Sequence, residues 1–362
     1  MELFGHLKAY DYGEVHFSHD KATGLKAIVA IHDSRLGPAL GGCRFLPYDT
    51  DEDALVDALR LARGMTYKAA LAGLAHGGGK SVLIQPKQHF DRVALFRAFG
   101  RFVDNLGGHY ITAEDSGTGL EDMEVLRTVT KHVTGVDVAH GGSGDPSPFT
   151  ALGVRRGIEA CVKLKLGRDS LADVHVAVQG VGHVGYELCK ELHAAGAKIS
   201  VADIDPLKAE RAQREFGANV VPLDKIFETP CDVIAPCALG SALNDATIPR
   251  LVAKIVAGAA NNQLAQPRHG DDLHARGILY APDYAINAGG LVNVAQEVLG
   301  YDAKKSREKT LQIYDTIMEI ADRSGKTGTP TYRIADMLVE EKLAAVSRSR
   351  SKIKAAAPSS PS

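Results

Sequence analysis

The chain has 362 residues, 45% of them hydrophobic, and its 42 basic and 44 acidic residues leave a formal net charge of -2. Length and apolar content predict a globular protein of roughly two domains. The balanced charge excludes a basic surface for nucleic acid or an anionic membrane, so we expect a small-molecule partner. No apolar run approaches the roughly 20 residues that span a bilayer, and no signal-peptide pattern opens the chain, which predicts a cytoplasmic protein.

The first part of the chain mixes strand and helix patterns around glycine-rich segments. Lys80 follows a run of three glycines, and Asp115 follows a short apolar segment. We expect both at strand ends or in loops, where α/β proteins commonly hold functional side chains. The predicted elements are a strand over 25–32, a helix over 53–74, a strand after glycines 77–79, a helix over 90–108 and a strand running into a loop over 109–119.

From residue 148 onward, strands and helices alternate regularly. Strands separated by helices of this length predict an α/β fold with a parallel, doubly wound sheet, and the domain boundary should fall near 135–150. The polar, aromatic-free segment 351–362 is expected to be disordered. The predicted elements are a helix over 148–166, a strand over 174–180, a helix over 183–196, a strand over 197–205, shorter signals in 231–240 and 253–263, and long helices over 303–326 and 333–346 that pack back over the first domain.

The cysteines and histidines do not show metal-ligand or disulfide patterns. The five cysteines are widely spaced without a C-x-x-C pair, and the 14 histidines lack H-x-x-x-H spacing. We therefore expect reduced thiols and no metal site.

A G-x-G-x-x-G turn, Gly180, Gly182 and Gly185, lies between a predicted strand and a predicted helix. Such glycines permit a tight turn and close backbone approach, and the helix N-terminus binds the pyrophosphate of a dinucleotide. A glycine turn without a ligand is the alternative, which the strand and helix around it disfavour. The other turn residues of this predicted cofactor site are Val181, His183 and Val184.

Asp203 ends the next strand and bears on the type of cofactor. Its carboxylate would receive the ribose hydroxyls and repel a 2′-phosphate, which favours NAD over NADP. Asp205 and Lys208 lie close by in sequence, so NADP stays open as an alternative.

Two lysines and one aspartate occur beside glycines in the first domain. A lysine in a confined, cationic neighbourhood can have its pKa lowered enough to act as a base, and Lys80 is the candidate. Lys68 is the expected second cation, suited to a substrate carboxylate. Taken alone, both lysines would more often be exposed, and Asp115 could be a helix N-cap. The segments concerned are 37–45, 63–83 and 112–119.

Together these motifs closely resemble the leucine/valine/phenylalanine/glutamate dehydrogenase superfamily, and most specifically its bacterial leucine-type members. The resemblance covers nearly the whole chain except the tail, through GMTYK, GGGK, TAED, GVGHVG, AGAANNQL and PDYAINAGG in that order. It implies a substrate domain formed by both chain ends, 1–135 with 331–350, and a Rossmann-type NAD-binding domain over 140–330. It also implies a homo-oligomer, either a dimer or an octamer.

The resemblance implies NAD-dependent, reversible oxidative deamination of an L-amino acid to a 2-oxo acid and ammonia. Lys80 would be the general base for attack of water on the imino intermediate, Lys68 would pair with the substrate carboxylate, and Asp115 would handle protons at the amine. Further implied contacts are Gly41, Gly42 and Met65 with the substrate, Thr150 and Ala238 with the cofactor, and Asn262 with both.

The substrate pocket implied by the resemblance is aliphatic. Glutamate-specific members carry a lysine where Leu40 stands and a serine near Val294, so this pocket would leave a γ-carboxylate unpaired. Ala113 is typical of leucine-specific members, whereas Leu291 resembles phenylalanine-specific ones. We therefore expect Leu, with Val and Ile, as substrates, and phenylalanine as the alternative. A second alternative is a dinucleotide-binding regulator that has lost the chemistry.

Overall fold

The computed structural model describes residues 3–9, 14–238 and 240–356. These residues form two compact units. The first contains the described residues up to Gly144, those of Val294–Asp302 and those from Leu338 onward, and the second contains Asp145–Asn293 and Ala303–Met337. Within the described part of the chain, no helix is long and apolar enough to cross a membrane.

The first unit is built on a five-stranded mixed sheet. Its strands are β1 (Glu14–Asp20), β2 (Leu25–Asp33), β3 (Ala39–Leu46), β4 (Gly77–Ile84) and β5 (Tyr110–Glu114). Their order in the sheet is β1-β2-β4-β3-β5. The first two contacts, β1 with β2 and β2 with β4, are antiparallel, whereas β3 is parallel to both β4 and β5. β4 is therefore the central strand.

Helices cover both faces of this sheet. They are α1 (Leu3–Ala9), α2 (Asp51–Leu71), α3 (Arg92–Asn105) and α4 (Leu120–Arg127). The buried side of α2 packs with Ile28 and Val82 on one face, while Phe96 of α3 packs with Phe45 on the other. The side chain of Thr50 accepts a hydrogen bond from the Asp53 amide and so caps the start of α2. The sheet is thus enclosed on two sides, as in other α/β layers.

Lys80 lies inside β4, where its register partner on β2 is Ala30. The expectation that Lys80 sits at a strand end or in a loop was wrong. The three glycines before it are part of the strand because close packing requires them: a Cβ on Gly78 would collide with the backbone of Thr66, and one on Gly79 would lie 2.7 Å from the ring of Tyr110. Asp115, in contrast, directly follows the end of β5, as expected.

The second unit is built on a six-stranded parallel sheet. Its strands are β6 (His175–Gln179), β7 (Lys198–Ala202), β8 (Asn219–Val220), β9 (Val233–Pro236), β10 (Ile255–Val256) and β11 (Leu279–Tyr280). Their order is β11-β10-β9-β6-β7-β8, and all strands are parallel. The direction of winding reverses between β6 and β9, which is where open α/β sheets bind ligands. The predicted doubly wound sheet is confirmed.

The helices of the second unit include the first of the two long C-terminal helical segments. They are α5 (Ser147–Leu166), α6 (His183–Ala194), α7 (Pro206–Phe216), α8 (Arg268–Ala275), α9 (Asp283–Ile286), α10 (Gly289–Ala295, whose last two residues are assigned to the first unit), α11 (Ala303–Leu311) and α12 (Ile313–Thr327). α11 and α12 pack against α5. The expectation that segment 303–326 packs over the first domain was therefore wrong, because its apolar face is buried within the second unit.

The last helix, α13 (Thr331–Ala356), does return to the first unit from Leu338 onward. Tyr67 donates a hydrogen bond to Glu340 at 2.6 Å, and Lys342 donates to the carbonyl of Ala70 at 3.1 Å. The helix also enters the segment 351–362 that was expected to be disordered. Residues 357–362 of that segment lie outside the described residues.

Candidate active site

Adjacent strands of the first unit bring several candidate residues together. Gly41 and Gly42 on β3 pair with Thr112 and Ala113 on β5, and β3 also pairs with the strand that carries Lys80. A Cβ on Gly41 would collide with the carbonyl oxygen of Gly79, and a Cβ on Gly42 would lie 2.8 Å from that of Asp115. Only glycine allows this approach.

Lys80 and Asp115 form an ion pair, with Nζ of Lys80 2.7 Å from Oδ2 of Asp115. The lysine side chain is 6% exposed and the aspartate side chain 25%. An amine that is almost completely buried beside a partly open carboxylate can exchange a proton only with groups that enter this site. The arrangement suits proton transfer in a sheltered space.

Arg44 completes the charged cluster, and sequence reasoning did not assign it. Its Nε donates to Oδ2 of Asp115 at 2.9 Å, and its Nη1 donates to Oδ2 of Asp57 at 2.9 Å. Tyr48 donates to the same oxygen of Asp57 at 2.7 Å. The arginine lies in the glycine-rich segment 37–45, but its pairing with a residue 71 positions away needs the fold to be seen.

The electrostatics of the cluster follow from burial and from these neighbours. Burial lowers the pKa of Lys80 below its ordinary value of 10.5; the Asp115 charge opposes this effect, and the Arg44 charge adds to it. Burial alone would raise the pKa of the Asp115 carboxyl, but Lys80 and Arg44 together hold it below its usual range. The sequence predicted a lowered pKa for Lys80, and the structure gives the same direction, with burial as the main cause.

Cys43 lies beside this cluster as a fully buried thiol. Burial raises its pKa to about 12, so it stays protonated at neutral pH. Tyr110, also fully buried, donates to the carbonyl of Gly41 at 2.6 Å, and its hydroxyl oxygen lies 3.0 Å from Oγ of Ser81. These hydrogen bonds tie β3, β4 and β5 together beneath the charged groups.

The remaining candidates of the first unit are Met65, Lys68, Leu40 and Val294. Met65 and Lys68 are half-buried residues of α2, whose Thr66 packs directly on Gly78 of β4. Leu40 is buried to 1% exposure and pairs with Gly78 and with Ile111. Val294, half-buried, is also assigned to this unit.

The three glycines of the turn in the second unit differ in the space around their Cβ positions. Gly180, after β6, has a φ of 92°, and a Cβ there would lie 2.8 Å from Ala238. A Cβ on Gly185 would collide with the Gly180 carbonyl, so this glycine lets α6 pack against the turn. A Cβ on Gly182 would meet no atom within 4 Å. Gly182 is also the N-cap residue of α6 and provides no side-chain cap. The middle glycine therefore leaves open space at a helix N-terminus, as a pyrophosphate requires.

Asp203 follows β7 and is tied to that turn. Its Oδ2 accepts from the Val181 amide at 2.5 Å, and its Oδ1 accepts from the Asp205 amide at 2.8 Å. Lys208, the nearby cation, lies 3.9 Å from Asp205. Within the turn, Val181 is buried, Val184 half-buried and His183 exposed.

Of the other candidates of the second unit, one follows β10 and two lie on helices. Asn262 follows β10, has a φ of 52°, and accepts a hydrogen bond from the Ser241 amide at 2.6 Å. Thr150 lies on α5, and its Oγ1 is so close to Gly290 that a Cβ there would be only 2.6 Å away. Leu291 is a half-buried residue of α10. In the part of the chain that the structure describes, no cluster of three or more His, Cys, Asp or Glu side chains could hold a metal.

Comparisons with known proteins identify the family. A model described as Glu/Leu/Phe/Val dehydrogenase, dimerisation domain, matches residues 12–132, and one described as Glutamate/Leucine/Phenylalanine/Valine dehydrogenase matches residues 204–350. The chain is 52% identical over 351 residues to a leucine dehydrogenase of Bacillus cereus, which covers 97% of this chain and 96% of that protein. It belongs to the Glu/Leu/Phe/Val dehydrogenase family.

Other members of this dehydrogenase family are nearly as similar. L-tryptophan dehydrogenase of Nostoc punctiforme is 47% identical over 358 residues, covering 98% of this chain and 100% of that protein. Valine dehydrogenase of Streptomyces albus is 45% identical over 334 residues, covering 91% and 92%. A crystal structure of the Nostoc enzyme superposes with a TM-score of 0.86 at 44% identity, covering 95% of this chain and 99% of that one. The chain is thus an amino-acid dehydrogenase of a family that uses nicotinamide dinucleotides.

Proposed function

We propose that this dehydrogenase carries out the NAD-dependent, reversible oxidative deamination of branched-chain L-amino acids. The observation that carries the proposal is the buried ion pair of Lys80 with Asp115, bordered by the glycines of β3. A base with a lowered pKa next to a carboxylate, where backbone can approach a substrate, suits proton removal from water and proton exchange at an amine.

The overall reaction consumes an L-amino acid, NAD+ and water, and it yields a 2-oxo acid, ammonium, NADH and a proton. NAD supplies the hydride acceptor when bound. The α-carbon loses its hydrogen with both bonding electrons, which leaves an imino acid, and water then adds to the imine carbon before ammonia departs. We assign substrate binding and proton transfer to the first unit and dinucleotide binding to the second.

The protein's own groups are assigned the proton and binding steps. Neutral Lys80 takes a proton from the attacking water, and Asp115 exchanges a proton with the substrate nitrogen. Lys68, half-buried on α2, pairs with the substrate carboxylate. Gly41 and Gly42, which let β3 approach its neighbours closely, are proposed to contact the rest of the substrate backbone.

NAD is the proposed dinucleotide. The open space at Gly182 fits a pyrophosphate at the start of α6, and the Asp203 carboxylate after β7 suits ribose hydroxyls. A 2′-phosphate would need a free cation, but Lys208 lies near Asp205, and Arg211 donates to Glu215 and Tyr186. Residues proposed to complete the cofactor site are Val181, His183, Val184, Gly180, Gly185, Thr150, Ala238 and Asn262.

The aliphatic substrate is supported by the pocket residues and by the leucine dehydrogenase relatives. Leu40 and Ala113 are buried and uncharged, so a γ-carboxylate would find no partner on these two side chains. Met65, Leu291 and Val294 are the further residues proposed to contact the substrate. An aromatic amino acid is the second candidate, because Leu291 matches the phenylalanine-specific pattern and an L-tryptophan dehydrogenase is 47% identical.

We further propose a homo-oligomer, since residues 12–132 match a dimerisation-domain model. A dimer or an octamer is expected, and a cytoplasmic location stays a prediction from the sequence. Light scattering of the purified chain would decide the oligomeric state.

The test of the proposed function is a rate measurement at 340 nm with NAD+ and a panel of Leu, Val, Ile, Phe, Trp and Glu. We expect turnover with Leu, Val and Ile at graded kcat/KM, because one methylene changes binding by only about 1–3 kcal/mol. A preference for Phe or Trp would overturn the aliphatic assignment. NAD binding without turnover of any amino acid would instead favour the alternative function, a dinucleotide-binding regulator that has lost the chemistry.

A further inference from the structure

The two oxygens of the Asp115 carboxylate have different environments. Oδ2 accepts from Nζ of Lys80 at 2.7 Å and from Nε of Arg44 at 2.9 Å. Oδ1 takes part in no hydrogen bond to any described residue of the chain. One oxygen is therefore held by two cations, and the other is available to an incoming group.

Arg44 is itself held from its far side. Its Nη1 donates to Oδ2 of Asp57 on α2 at 2.9 Å, and Tyr48 donates to the same oxygen. The guanidinium thus bridges two carboxylates with two different nitrogens, which a lysine ammonium at the end of a flexible chain cannot reproduce with the same geometry. The arginine is fixed in place and about one fifth exposed, at 21%.

We propose that Arg44 is a positioning residue for the reaction: it fixes Asp115 through Oδ2, keeps that carboxylate paired when Lys80 gives up its proton, and leaves Oδ1 to face the substrate nitrogen. This inference rests on the proposed function. It adds a residue that acts through Asp115 and Lys80 without touching the reacting atoms.

The charges of the cluster explain why such a residue is needed. With Lys80 protonated, the two cations Lys80 and Arg44 balance Asp115 and Asp57. When Lys80 becomes neutral, Arg44 still carries a charge between the two carboxylates. Without Arg44, loss of the lysine proton would leave a mostly buried Asp115 carboxylate without a cationic partner, which is costly. The proton would then be held more tightly on Lys80.

Other titratable groups around Lys80 do not replace Arg44 in this role. Cys43 on β3 is a fully buried thiol that stays protonated, because burial raises its pKa to about 12. Tyr110 on β5 donates to the Gly41 carbonyl and lies within hydrogen-bond distance of Ser81, and burial raises its pKa above its ordinary value of 10.0. Lys68 on α2 is assigned to the substrate carboxylate. Asp57, also on α2, acts on Lys80 with the opposite sign.

The first experiment compares pH profiles of kcat/KM for leucine in the full-length wild type and in Arg44→Ala. We expect kcat to fall about 10–100-fold with a smaller change in KM, as for loss of an aligned proton-transfer group. The acid limb should move to higher pH by roughly one unit, because a like charge next to Lys80 has been removed. Added guanidinium should restore activity to Arg44→Ala but not to Lys80→Ala.

Two further variants distinguish positioning from general structural support. Asp57→Asn keeps Arg44 but removes the negative charge behind it, so the acid limb should move to lower pH, opposite to Arg44→Ala. Arg35→Ala is the matched control, since Arg35 forms a similar pair with Asp33 at 2.7 Å elsewhere in the first unit. It should leave the pH profile unchanged. If Arg44→Ala does not fold, Arg44→Lys and Asp57→Asn carry the same test, with Arg44→Lys expected to shift the limb less than one unit.

The inference is overturned if Arg44→Ala or Asp57→Asn folds and keeps the wild-type acid limb, or if guanidinium gives no rescue of a folded Arg44→Ala. Failure of the proposed function would look different, since the wild type itself would then turn over no amino acid. If the wild type is active and the acid limb of the variants is unshifted, only the role of Arg44 is rejected and the proposed function stands.

Discussion

The amide of Val181 donates to Oδ2 of Asp203 at 2.5 Å, so the glycine turn after β6 is joined to the end of β7. The second oxygen of this carboxylate accepts from the Asp205 amide at 2.8 Å. Asp203 therefore shapes the turn, in addition to its proposed contact with the ribose of NAD. Substitutions of Asp203 can separate its structural role in the turn from its proposed role in cofactor binding.

Asp203→Asn should weaken NAD selectivity more than it weakens the fold. The amide retains one acceptor oxygen for a backbone N–H but removes the charge that would repel a 2′-phosphate. We expect KM for NAD+ to rise about 10-fold and the preference over NADP+ to shrink. Asp203→Ala removes both acceptors and should also lower Tm. Steady-state kinetics with both dinucleotides and thermal unfolding measure these effects; unchanged discrimination in Asp203→Asn would contradict the assignment.

The three glycines of the turn should respond differently to alanine. Gly182 has a φ of -70° and open space around its Cβ position, so Gly182→Ala should leave Tm nearly unchanged. It should raise KM for NAD+ at least about 10-fold, because the methyl would occupy the space proposed for the pyrophosphate. Gly180→Ala should instead lower Tm, since φ is 92° and Ala238 lies 2.8 Å from the new Cβ. Equal effects of the two variants on cofactor binding and on Tm would count against this geometry.

Two exposed glycines inside helices predict a gain in stability. A Cβ on Gly64 of α2 or on Gly325 of α12 would meet no atom within 4 Å. Alanine at each position should stabilise the fold by roughly 0.5–1 kcal/mol, because it restricts the unfolded chain and favours the helix. Thermal unfolding of Gly325→Ala and Gly64→Ala tests this, and a lower Tm for either would show a contact that the helix geometry does not reveal.

The second unit was the more predictable half of the fold. Regular alternation of apolar strands with helices predicted the parallel sheet, and the G-x-G-x-x-G spacing predicted the turn that joins β6 to α6. Both signals are local, because each strand and helix carries its own pattern. In the first unit, the same kind of signal predicted β2 and α2.

The central part of the first unit was not predictable from local pattern. No element was predicted over Gly41 and Gly42, and the next strand was predicted to start only after the glycines that precede Lys80, since glycine is unfavourable in strands. These glycines lie in β3 and β4 because the neighbouring backbone leaves no room for a Cβ. Arg44 was missed for a related reason. Its role depends on Asp115, which comes next to it only when β3 and β5 pair.

The pH dependence of the deamination rate provides a direct test of Lys80. Burial lowers its pKa, while Asp115 partly opposes the effect. In the proposed role the neutral amine is the active form, so activity should be low at acidic pH and rise as pH increases through the folded-state pKa, with a midpoint below 10.5. The same shift has a consequence for stability. A lysine whose pKa is lower in the folded state disfavours folding at pH values below that pKa, and the penalty disappears as pH rises towards 10.5.

Lys80→Ala should then lose turnover by at least about 100-fold, because the base proposed to activate water is gone. NAD+ binding should persist, since the glycine turn and Asp203 belong to the second unit. Stopped reactions analysed for 2-oxo acid measure turnover, and fluorescence titration with NADH measures binding. Lys26→Ala is a suitable control, because Lys26 is an exposed lysine of the same unit that pairs with Asp51 at 3.5 Å. Full activity in Lys80→Ala, or an acid limb that persists unchanged in it, would require a different base.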